Sequence, residues 1–102
     1  MGADTFEERV VGFPTAQQAF NSVVKEARYL YGHGGYTGTI AEKDSFIMID
    51  VPVGEDPIKY ADSLMEGGVA HKCHDKWGPA CCVTFVTEKG EMGFYFFGWA
   101  SS

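Results

Sequence analysis

The chain has 102 residues and a formal net charge of −6, with 45% hydrophobic and 22% charged residues. That length suits one domain, residues 1–102, with a modest core, and the composition excludes a disordered chain. The acidic balance, without any basic run, excludes a general nucleic-acid binder, whose affinity rests on Lys and Arg at phosphates. It would also be repelled by an anionic membrane surface.

No apolar run approaches the length of a membrane span. The start, MGADTFEERVV, lacks a basic segment followed by a long apolar one, as a secretory leader requires. Three cysteines, two of them adjacent, do not suggest a disulfide framework. A reducing, cytoplasmic setting is therefore expected.

In chain order, Phe6 to Gly12 reads as a strand. The next stretch, PTAQQAFNSVVKEARYLYG, reads as a helix. Thr15 is its N-cap, Gln18 stands where a capping box needs it, and Gly32 ends it. Ala16, Ala19, Phe20, Val23, Val24, Ala27 and Leu30 form one apolar stripe. After the glycine-rich segment, GTIAEK and SFIMIDVPV are expected as two strands, with Glu42-Lys43-Asp44 as a tight turn between them. The run from Phe46 to Val51 is apolar on both faces, as a central or doubly covered strand would be. A second helix begins at Asp56 as N-cap with Pro57 in its first turn. It presents Ile58, Ala61, Leu64 and Met65 on one face and stops at Gly67-Gly68. The chain ends as a hairpin, with Gly90 in the turn.

The order strand, helix, strand, strand, helix, strand, strand predicts an α+β fold. It matches the ferredoxin-like β-α-β-β-α-β pattern with an additional C-terminal strand. The expected sheet is mainly antiparallel with both helices on one face. The last strand carries Phe94 and Phe96 on one side and Tyr95, Phe97 and Trp99 on the other. One set would then face away from the helices. That points to a homodimer, or to a ligand or protein partner on the open face, unless the extra strand and the 67–80 connection bury the rings.

Three groups of residues are candidates for function. The stretch LYGHGGYTGTIAEKD is glycine-rich, but it follows a helix instead of preceding one. A helix C-terminus disfavours an anion, so this is no phosphate loop. Once its turn is explained, His33, Tyr36, Thr37 and Thr39 remain as side chains near a sheet end. A second group lies in AHKCHDKWGPACC. His71, Cys73, His74 and Cys81 are zinc-type donors, although the spacing is irregular. Cys81 and Cys82 would point to opposite sides of a strand, so only one could join a site. Trp77 could stack on a ligand beside His71 and His74. Third, Cys73 or Cys81 with His33, His71 or His74 could form a nucleophile and base. No signature for such an enzyme is present, and Asp44, Asp50 and Glu42 read as scattered, solvated acids.

The segments YGHGGYTGTIAEK, DKWGPA and FFGWAS together resemble a small family of uncharacterised proteins found in bacteria and in phage or prophage contexts. The resemblance spans most of the chain and brings no reaction and no site residues. It implies an accessory protein that acts by binding a host protein or a signalling molecule. The expectation is thus a non-catalytic ligand- or protein-binding module. Its ligand would sit among His33, Tyr36, Thr37, Thr39, His71, His74 and Trp77. A zinc-binding domain and a small Cys/His enzyme are the alternatives.

Overall fold

The computed structural model describes residues 3–32, 38–66 and 78–101. Strand β1 (Ala3–Val11) leads into helix α1 (Ala16–Tyr31) and a short 3-10 helix (Ile40–Glu42). Strand β2 (Phe46–Met48), helix α2 (Pro57–Glu66), strand β3 (Ala80–Val86) and strand β4 (Met92–Ser101) follow. The result is an α+β fold with a four-stranded mixed sheet in the order β1-β4-β3-β2. β4 pairs antiparallel with β1 and β3, while β2 and β3 run parallel. Among the described residues, no helix is long and apolar enough to cross a membrane.

Both helices begin where their signals predict and α1 also ends there, while Gly67-Gly68, the expected stop of α2, lie outside the described residues. The Thr15 hydroxyl accepts the Gln18 amide at 3.2 Å. Gly32, with φ of 86°, donates its amide to the Arg28 carbonyl at 2.8 Å, a conformation that favours glycine. Ala19, Phe20, Val23, Val24 and Ala27 are buried as the stripe requires, and Leu30 is exposed. At α2, the Asp56 carboxylate accepts the amides of Ile58 and Lys59 at 2.9 and 3.1 Å. This satisfies helix donors that would otherwise lack partners.

Two expected strands change. GTIAEK is not a strand. The Thr39 hydroxyl captures the Ala41 amide at 3.2 Å, and the amides of Glu42 and Lys43 fold back on Thr39 and Ile40. These local bonds take donors that a sheet ladder would need. The SFIMIDVPV strand shortens to Phe46–Met48 and lies at the sheet edge, not its centre. It is nonetheless covered on both sides, since Phe46 packs with the α1 core and Ile47 with the α2 core.

The ferredoxin-like arrangement with both helices on one face is corrected. α1 and the 3-10 helix cover one face, over Phe6, Cys82, Phe94 and Phe96. α2 covers the other, over Cys81, Val83, Tyr95 and Phe97. The reason lies in β3 and β4, whose alternating positions are apolar on both sides, so each face needs its own cover. Phe94, Tyr95, Phe96 and Phe97 are all buried within the chain. Four of the five rings that pointed to a dimer are therefore covered within the chain, and Trp99 is partly buried.

Gly93 stands opposite Phe85 in the β3–β4 register, and the Phe85 ring lies over it. A Cβ at Gly93 would fall 2.3 Å from the ring's Cζ. Gly93→Ala is expected to swing the ring off the sheet and cost about 1–2 kcal/mol, read from urea unfolding. A stability equal to the wild type's would show that the ring gives way freely.

Candidate functional site

Tyr95 sits in the middle of β4, opposite Arg9 on β1 and Val83 on β3. Strand alternation turns its side chain to the α2 face, where it is 1% exposed and stacks on Phe97 with centroids 5.6 Å apart. The ring is held by packing, and its hydroxyl emerges beside two carboxylates. Oη lies 2.5 Å from Glu7 Oε2 and 3.2 Å from Asp62 Oδ1.

Each acid is placed by its element. Glu7 and Arg9 alternate with Phe6, Glu8 and Val10 along β1, so they share the α2 face. Asp62 follows Ala61, which is fully buried against the sheet, and this puts Asp62 at the margin of the α2 contact. Both acids are exposed. The shorter bond, from a neutral hydroxyl to a carboxylate, is of the strong charge-assisted kind.

A phenol carries one hydrogen. It cannot serve Glu7 and Asp62 at full strength together, so the pair presents more acceptor oxygens than the hydroxyl can satisfy. The phenol also keeps that hydrogen. Burial, then the bond to and charge of Glu7, then Asp62, push its pKa above the ordinary tyrosine range. Tyr95 is thus a donor at neutral pH and no base or nucleophile.

These groups line a cleft of about 520 Å³ between α2 and β1, with Thr5, Met65 and Phe97 as further walls. On the same face the Arg9 guanidinium stands 5.5 Å from the centroid of the Tyr95 ring. This is a favourable pairing of a cation with an aromatic face. Among the described residues, no three His, Cys, Asp or Glu side chains come close enough to hold a metal ion.

The residues singled out by sequence fare differently. Thr39 is the N-cap of the 3-10 helix, so it has a structural task. His33, Tyr36, Thr37, His71, Cys73, His74 and Trp77 lie outside the described residues. Cys81 is disulfide-bonded and offers no thiolate to zinc or to catalysis. That bond corrects the expectation of three reduced thiols and removes the cysteine argument for a reducing compartment. Among the described residues Cys82 is free and buried, on the opposite face as strand alternation requires. Burial pushes it up to about 12, far from the low values of reactive cysteines.

Glu7 and Asp62 do not stand out in the sequence, because they lie 88 and 33 positions from Tyr95. The available signal is the polar face of β1, with Thr5, Glu7 and Arg9 alternating against Phe6 and Val10. No protein-family model matches the chain, and neither the curated proteins nor the solved structures contain a significant match to it.

Proposed function

We propose that the chain is a non-catalytic binding module whose α2–β1 cleft takes a small organic cation, an alkylammonium or guanidinium group. The observation that carries this reading is the single phenolic hydrogen of Tyr95 facing two carboxylates. A ligand bearing several N–H donors and a positive charge supplies what that arrangement lacks. Met65, with the barely exposed margins of Tyr95 and Phe97, walls the cleft beside its carbon chain. The net charge of −6 steers cations toward the protein and anions away. The bacterial and phage-type resemblance fits such a module as an accessory protein that acts on a host protein or a signalling molecule.

Titration calorimetry with butylamine, agmatine and arginine tests the reading, with calcium chloride and a nucleoside monophosphate as contrasts. The amines are expected to bind and the nucleotide is not. Glu7→Gln and Asp62→Asn are each expected to weaken amine binding about tenfold, near 1.4 kcal/mol. No heat from any amine up to about 10 mM, a concentration that corresponds to negligible affinity, would sink the proposal. Calcium binding tighter than any amine would replace it with an inorganic cation site.

A further inference from the structure

β1 is the outer strand of the sheet, nine residues long, and β4 pairs with only one of its sides. A strand edge of this length offers a row of backbone donors and acceptors to another chain. Along the same edge, on the α1 face, runs a groove of about 90 Å³ lined by Glu8, Val23, Glu26, Ala27, Leu30 and Tyr31. Leu30 and Tyr31 are 61% and 58% exposed there. Edge and groove together form one surface along one side of the protein, with backbone groups, the apolar Val23, Ala27, Leu30 and Tyr31, and the acids Glu8 and Glu26.

The sequence of β1 says what fits it. A second copy laid antiparallel about a two-fold axis through Glu8, perpendicular to the sheet, keeps each face on its own side. Glu7 then stands opposite Arg9 of the second copy, and Arg9 opposite Glu7, so that two opposite-charge pairs form on the α2 face. Phe6 stands opposite Val10 on the α1 face, twice, and extends the apolar core across the junction. Directly opposed charged and apolar pairs of these kinds are the units that stabilise antiparallel strands. Moving the axis to Glu7 or to Arg9 breaks both crossed pairs and still leaves like charges facing each other at the axis, as Glu8 does in the register chosen. The two α1 helices then flank the junction on the same side, with Leu30 and Tyr31 toward it.

We infer that β1 is a self-pairing edge, through which two copies of the chain join into a continuous eight-stranded sheet. The Glu8 carboxylates meet at the axis and oppose the pairing, so the register also contains its own weak point. The pairing and the cation cleft share Glu7, which also accepts the Tyr95 hydroxyl, so the second copy's Arg9 and a bound cation would compete for that carboxylate; the pairing is therefore tested without ligand.

Sedimentation velocity of the full chain at about 100 µM, well above the Kd of a micromolar dimer, is expected to show a dimer. Arg9→Glu is expected to weaken it at least about tenfold, since like charges then face each other. The exchanged double variant, Glu7→Arg with Arg9→Glu, is expected to restore it. Glu8→Gln is expected to tighten it. Circular dichroism confirms that each variant is folded. A wild type that is monomeric up to about 1 mM, a concentration at which only negligible affinity escapes detection, would overturn the inference. So would a dimer indifferent to Arg9→Glu, or one that the exchange fails to restore.

Discussion

Phe96→Ala is expected to lower the unfolding free energy by about 3–5 kcal/mol. The Phe96 ring is fully buried and meets two others. It lies 5.6 Å from Phe20 of α1 and 5.6 Å from Phe46 of β2, edge-on to the latter. Phe20 and Phe46 are themselves 5.0 Å apart. The three rings tie the first helix, the edge strand β2 and the central strand β4 at one point. Removing the middle one deletes buried surface and leaves a void that its stiff neighbours cannot close. A domain of this size has about 5–15 kcal/mol in total, so the variant stands near the limit of folding. Urea unfolding of the wild type, Phe96→Leu and Phe96→Ala is the measurement. The leucine variant, which fills most of the space, is expected to lose about 1–1.5 kcal/mol. A loss below about 1 kcal/mol for alanine would show that the ring cluster does not bear on the fold as argued.

Lys43→Ala is expected to cost about 3–5 kcal/mol, through a different cause. Lys43 is only 2% exposed, an unusual place for an ammonium. Its Nζ donates to the Gly78 carbonyl at 2.8 Å and stands 5.9 Å from the centroid of the Phe6 ring. The side chain thereby joins the end of the 3-10 helix to the residues just before β3. Alanine removes the buried four-carbon stem and the donor together. Lys43→Met separates the two, because it keeps the stem and loses the charge and the polar contacts of the ammonium. The methionine variant is expected to lose about 1–3 kcal/mol, the usual cost of removing a charged donor from a buried acceptor. Replacement of a buried ion by an apolar residue of similar volume is sometimes neutral. A methionine variant as stable as the wild type would show that the stem, not the ammonium, holds this junction.

The elements with local signals are legible in the residues themselves. Thr15, the apolar stripe and Gly32 define α1. Asp56 and Pro57 define the start of α2. Gly90 marks the hairpin, where its amide bonds to the Thr87 carbonyl at 2.9 Å. The alternation of Phe94 and Phe96 against Tyr95 and Phe97 is legible too, and it is the feature that decides the layers. Its consequence is not, because the pattern shows that both faces are apolar but not which element covers each.

The same limit explains Lys43 and the 3-10 helix. Glu42-Lys43-Asp44 has the composition of an exposed turn, and Asp44 behaves as one, pairing loosely with Arg28 at 3.8 Å on the surface. Lys43 differs only because residues far along the chain enclose it. The candidate site depends on the same kind of enclosure. Glu7, Asp62 and Tyr95 carry no motif, and nothing in their spacing brings them together.

Short-range physics governs the features that can be read directly from the chain. Helix ends, strand alternation, the hairpin turn and the acidic charge each follow from neighbouring residues. Contacts between distant segments set the others: α1 and α2 on opposite faces, β2 at an edge, a lysine in the interior, and two carboxylates on one phenol. Backbone propensity and side-chain period are properties of a few consecutive residues. The choice of partner across the core is a property of the whole chain, set by which packing covers both aromatic faces of β4 at once.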